Sequence, residues 1–169
     1  MILLDTHVLV WSQWEPRKLS RLAEATIRRA RVSSSLSVSA ITVVELASLI
    51  NRGRIKTSGT VAGTIRHLIE EVVILPVTEI IAMESSYLPV DMLPDLMDRI
   101  IAATARAEGI PLVTADERVQ KSPLVKTIWQ GWLHLVMQQR VHVVLFQLIA
   151  TFQAIKFYDK SEATNLSAQ

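Results

Sequence analysis

Four acids stand among apolar neighbours: Asp5, Glu45, Asp98 and Asp116, at intervals of 40, 53 and 18 residues. Asp5 closes the run Ile2-Leu3-Leu4, and Asp116 follows Leu112-Val113-Thr114-Ala115. Glu45 and Asp98 fall in stretches with helical spacing, and each is expected in the first turn of its helix. In an open parallel sheet, ligands bind beyond the carboxyl ends of the strands, and helices that follow strands begin on that edge. The four acids can therefore meet there. Carboxylates about 5 Å apart repel by roughly 3 kcal/mol per pair at an effective dielectric near 20, more than a marginally stable domain tolerates without countercharge. A divalent cation is the natural compensation. Ligands made of oxygen alone favour a hard ion, so Mg2+ or Mn2+ is expected rather than zinc or copper.

Other chemistries are excluded by what the chain lacks. With no Cys among its 169 residues, it can form no disulfide framework, thiolate zinc site or cysteine nucleophile. His7, His67, His134 and His142 show no ligand spacing. The net charge of +2 is too small to demonstrate a nucleic-acid partner. The start, Met1-Ile2-Leu3-Leu4-Asp5, lacks a basic region and a long apolar run, so no signal peptide is expected and the cytoplasm is the default location. The uncharged segment from Val141 to Ile155 is too short to span a bilayer, and no membrane partner is expected.

The elements that must position the acids follow from pattern. Strands are expected over 2–4, 36–41, 72–77 and 111–114, with a last apolar run over 124–129. Helices are expected over 21–31, 42–52, 60–71, 78–87 and 96–107, with Ser20 and Asp95 as caps. Strands alternating with helices at this spacing predict an α/β fold, a mostly parallel central sheet covered by helices in three layers.

Leu4-Asp5-Thr6, Ser39-Ala40-Ile41-Thr42-Val43-Val44-Glu45-Leu46, Asp98-Arg99-Ile100-Ile101-Ala102-Ala103-Thr104-Ala105 and Val113-Thr114-Ala115-Asp116 occur in that order. Together they resemble the motifs of PIN-domain proteins, most nearly the VapC type, the toxins of VapBC toxin-antitoxin pairs. The resemblance covers residues 1–129, where Leu124-Val125-Lys126-Thr127-Ile128-Trp129 is similar to the usual end of that domain. It implies an Mg2+- or Mn2+-dependent endoribonuclease whose metal-binding and catalytic acids match Asp5, Glu45, Asp98 and Asp116. Thr6 and Thr114 match hydroxyl positions beside the acids. A homodimer, an RNA substrate and an antitoxin whose tail enters the acidic site are implied as well. The rival reading is a non-catalytic regulatory or interaction module on the same fold. A phosphate-accepting receiver domain ranks last, because paired acids near the first strand and a late strand-end Lys are missing.

Further residues carry weaker signals. Asp95 is expected to cap the helix that bears Asp98 and so to support the site from outside it. Arg99 is either an ion-pair partner that orients an acid or a structural surface arginine. Arg28, Arg29 and Arg31 read as a solvated helix face, whereas Arg52, Arg54 and Lys56 could guide a phosphate backbone toward the acids. Trp11 and Trp14 are expected to pack in the core or an interface. Residues 130–169 form an extension outside the resemblance, and the apolar stretch within it is expected to be buried against another surface.

Overall fold

Alternation in the first strand sets the layers. In the computed structural model, which describes residues 1–57 and 59–130, β1 (Ile2–Leu4) sends Ile2 and Leu4 into one core and Leu3 into the other. β2 (Leu36–Ser39), β3 (Val73–Leu75), β4 (Leu112–Val113) and β5 (Thr127–Ile128) complete a five-stranded sheet. Its order is β3-β2-β1-β4-β5, and every neighbouring pair is parallel.

Parallel strands need crossovers, and helices supply them. α1 (Thr6–Trp14) and α2 (Arg21–Val32) join β1 to β2, and α3 (Ala40–Asn51) and α4 (Val61–Leu68) join β2 to β3. Val8, Leu9, Ala23, Ile27, Leu46 and Leu68 from these helices meet Ile2, Leu4, Leu36 and Val38 on one face. α5 (Glu79–Ser86) and α6 (Leu96–Ala107) lead to β4, and α7 (Glu117–Lys121) leads to β5. Ile81, Ile101, Ala102, Ala105 and Val119 cover the other face with Leu3 and Leu112. The three expected layers are present.

Local chemistry places the helix ends. The Ser20 hydroxyl accepts from the Ala23 amide at 3.1 Å, and the Asp95 carboxylate accepts from the Met97 amide at 2.7 Å. Gly53 and Gly109, at φ 67° and 64°, close α3 and α6 in the left-handed conformation that a side chain disfavours.

The structure departs from the sequence expectation at several elements, among them α7, which no expected helix covers. α1 carries no marked pattern because Thr6, Val8, Leu9 and Val10 are all buried, which erases an amphipathic stripe. The strand expected to reach Ile41 stops at Ser39, so α3 starts at Ala40 and Glu45 lies in the second turn, not the first. The reason is the stripe that α3 buries: Thr42, Leu46 and Ile50 are four residues apart, so the chain must already be helical at Thr42. The last apolar run forms only the two-residue β5. Expectations for the chain after Gln130, including Val141 to Ile155, lie outside the described residues. Among the described residues no helix is long and apolar enough to cross a membrane.

Candidate active site

β1 and β4 are neighbours, but β1 continues toward β2 on one side and β4 toward β5 on the other. Their carboxyl ends thus flank the point where the winding of the sheet reverses, the usual place for a ligand in such folds. Asp5 follows β1 directly, and its amide donates to the Val113 carbonyl at 3.1 Å. Thr114 and Asp116 follow β4.

Asp5 occupies the N-cap position of α1, yet its side chain makes no capping bond. Its Oδ2 instead accepts from Thr114 Oγ1 at 2.5 Å, and that hydroxyl accepts from the Asp116 amide at 3.0 Å. Thr6, the buried first residue of α1, donates from Oγ1 to Glu45 Oε2 at 2.6 Å. Two hydroxyls therefore orient two acids across four elements. Asp116 Oδ1 accepts from the Arg118 amide at 2.7 Å and caps α7, so it is a turn former as well as a member of the cluster. Asp98 lies in the first turn of α6, where Asp95 does the capping. Among the described residues nothing donates a hydrogen bond to the Asp98 carboxyl.

Asp5, Asp98 and Asp116 line one small cavity with Ile101, Leu112 and Val119. Glu45 is outside that wall and joins the group through Thr6. Asp98 is pushed up to about 6, first by burial and then by the charges of Asp5, Asp95, Glu45 and Asp116. Asp5 is raised by burial, with the Thr114 hydroxyl pulling the other way, and Asp116 adding to the rise. Glu45 is also raised by burial against the Thr6 hydrogen bond, with Asp5 and Asp95 contributing. The acids thus act on one another. Among the described residues, no three His, Asp or Glu side chains are placed so that together they could hold an ion. The cluster's donor set, carboxylates and hydroxyls in mutual repulsion with no Lys or Arg paired to them, nonetheless fits a hard divalent cation.

The remaining candidates divide. Arg99 is half-buried, its Nε has no partner, and no ion pair joins it to an acid among the described residues. Arg28 and Arg29 are exposed, as expected, while Arg31 reaches Glu71 at 3.1 Å. Arg52, Arg54 and Lys56 are exposed, and the last two line a cleft against α1. Trp11 packs between His7 and Trp129, with ring centroids 6.0 and 6.2 Å away. Trp14 is 40% exposed instead of packed. The residue that sequence reasoning missed is His7, whose imidazole stands near enough to Asp5 and Glu45 to pull both downward. The only signal for it was its place two residues after Asp5.

Residues 2–123 match the family described as PIN domain. Ribonuclease VapC22 of Mycobacterium tuberculosis (strain ATCC 25618 / H37Rv) is 36% identical over 130 residues, 76% of this chain and 98% of that protein. Two solved structures share the fold. VapBC2 from Rickettsia felis, bound to a DNA fragment from its promoter, has a TM-score of 0.59 at 17% identity and covers 77% of this chain and 100% of the matched chain. FitAcB from Neisseria gonorrhoeae has a TM-score of 0.56 at 22% identity, over 76% of this chain and 96% of the matched one.

Proposed function

Because the chain belongs to the PIN domain family and to its VapC type, we propose that it is an endoribonuclease toxin of a toxin-antitoxin pair, hydrolysing RNA phosphodiester bonds where Asp5, Glu45, Asp98 and Asp116 gather. The observation that carries this reading is that Asp5, Asp98 and Asp116 line one cavity, where burial first and the charges of the neighbouring acids second raise Asp98 to about 6, with no basic side chain paired against it among the described residues. Oxygen donors under such pressure attract divalent cations. These acids would hold Mg2+ or Mn2+, which would supply polarisation of the scissile phosphate, activation of water and stabilisation of charge on the leaving oxygen.

The residues of the chain do the positioning. Thr114 and Thr6 fix the directions in which Asp5 and Glu45 present their carboxylates. Ile101, Leu112 and Val119 give the acid cavity an apolar wall, and that strengthens every charge interaction inside it. Asp95 holds the start of α6 so that Asp98 stays at the cavity. No side-chain nucleophile is required.

The protein partner is read as a cognate antitoxin, because the fold's solved relatives include VapBC complexes. The chain is taken to work in the cytoplasm, as a homodimer, on residues 1–129. Residues 130–169 bring no acid of this set. The test is cleavage of a synthetic single-stranded RNA by the full chain in Mn2+, wild type against Asp5→Asn. Loss of cleavage with an unchanged circular dichroism spectrum supports the assignment. Undiminished cleavage by the variant refutes it.

A further inference from the structure

We propose that the cleft between α1 and the 52–57 turn is a nucleotide subsite for single-stranded RNA, with Trp14 stacking on a base while Arg54 and Lys56 hold its phosphates. The inference rests on the ribonuclease reading and extends it to how substrate is gripped. Two cavities meet there. One, of about 530 Å3, has Lys18, Arg54 and Lys56 at its rim and Val10, Leu49 and Ile55 beside Trp11 and Trp14 in its wall. The second, of about 450 Å3, is lined by Trp14, Lys56, Thr57, Thr60, Thr64 and His67 among others. Trp14 and Lys56 belong to both. Each volume falls in the range of small-molecule sites and has room for a nucleoside.

The cleft adjoins the acids along two helices, since its lining includes His7, two residues after Asp5 on α1, and Leu49, one turn after Glu45 on α3. A strand threaded over the acid cavity therefore lays a flanking nucleotide in the cleft. The walls carry the charge that a phosphate needs. Glu15 is the one acid in the lining of either cavity, and Lys18 pairs with it at 2.7 Å. Arg54 and Lys56 are exposed and join no ion pair among the described residues. The two indoles differ in availability. Trp11 has Lys18 Nζ over its ring at 5.6 Å and His7 and Trp129 at its sides, whereas Trp14 is 40% exposed with cavities on either hand. A surface indole flanked by unpaired cations suits a base and its phosphate, and the base must be unstacked to reach it, hence a single strand.

The experiment is equilibrium binding of a labelled mixed-sequence single-stranded RNA to the full chain in excess chelator, where binding is read apart from cleavage. Trp14→Ala should weaken binding roughly 5- to 150-fold, the range for one lost base stack, and Trp14→Phe should restore most of it. Arg54→Ala with Lys56→Ala should flatten the dependence of log Kd on log salt by about 1.4, since each phosphate contact on a single strand accounts for about 0.7. All three sites are exposed, so circular dichroism should show intact folds. If wild type cuts and binds RNA but neither substitution changes binding, the inference is overturned and the ribonuclease reading stands. If the substitutions spare RNA binding but abolish inhibition by the antitoxin, the cleft is a peptide groove and the inference is overturned. A wild-type chain that neither binds nor cuts RNA overturns both.

Discussion

Three of the four carboxylates, those after β1 and β4 and the one on α3, have a donor: Thr114 for Asp5, the Arg118 amide for Asp116 and Thr6 for Glu45. On the α6 side Asp98 has none among the described residues, and every influence acting on it is unfavourable to charge. Hydrogen bonds to an ionised carboxylate favour the charged form, and burial beside other acids disfavours it. The first group is therefore oriented whatever is bound. Asp98 depends for its charge on what arrives. The difference separates positioning, which the fold supplies in advance, from charge compensation, which a ligand must supply.

The largest effect is expected where compensation fails. Asp98→Asn should lower RNA cleavage by on the order of 10²- to 10³-fold, the cost typical of removing one group that stabilises developing charge. The same variant should melt higher than wild type in chelator, because it removes repulsion. A gel assay and a melting curve check the two halves.

A smaller loss is expected on the braced side. Thr114→Val should cost roughly 10- to 100-fold in metal affinity or activity, since it releases the orientation of Asp5 without removing the acid. Titrating Mn2+ into the cleavage assay should show the half-maximal concentration moving upward while the fold is unchanged. If Thr114→Val cost more than Asp98→Asn, the division between the two sides would be reversed.

The smallest effect is on stability against pH in chelator. The folded Asp98 carboxyl stands at about 6 against an ordinary 3.8, so the folded state binds this proton more tightly. Stability from this group therefore falls as pH rises from about 4 to about 6 and stays low above that. Asp5 and Glu45, also raised, act in the same direction. For a half-exposed carboxylate, solvent screening limits the Asp98 contribution to on the order of 1 kcal/mol, a few degrees in melting temperature. The difference in melting temperature between wild type and Asp98→Asn should widen across this window, with the variant gaining as pH rises. A constant difference would show that burial and repulsion do not govern Asp98.

The two sides also differ in how far the sequence reveals them. Asp98 is easy to place, because Asp95 signals a cap and Ile101, Ala102 and Ala105 repeat along one helical face. Asp5 is legible as the stop to a buried strand. The hydroxyl bridges are not, since they join residues 39 and 109 positions apart and only the closed sheet brings them together. The sequence pattern sets Glu45 one turn too early, because Leu36-Ser37-Val38-Ser39-Ala40-Ile41 keeps alternating past the point where the strand ends. α1 was hidden by burial on several sides, and with it went the setting of His7 and the open face of Trp14. Period reveals elements with one wet face. It says little where both faces are dry.

The most direct test of the account is calorimetric titration of Mn2+ into the full chain at neutral pH, for wild type and Asp98→Asn. Wild type should bind saturably, and the variant should lose or greatly weaken that binding. Equal binding by the two would contradict the claim that the acid cluster is a cation site completed by Asp98.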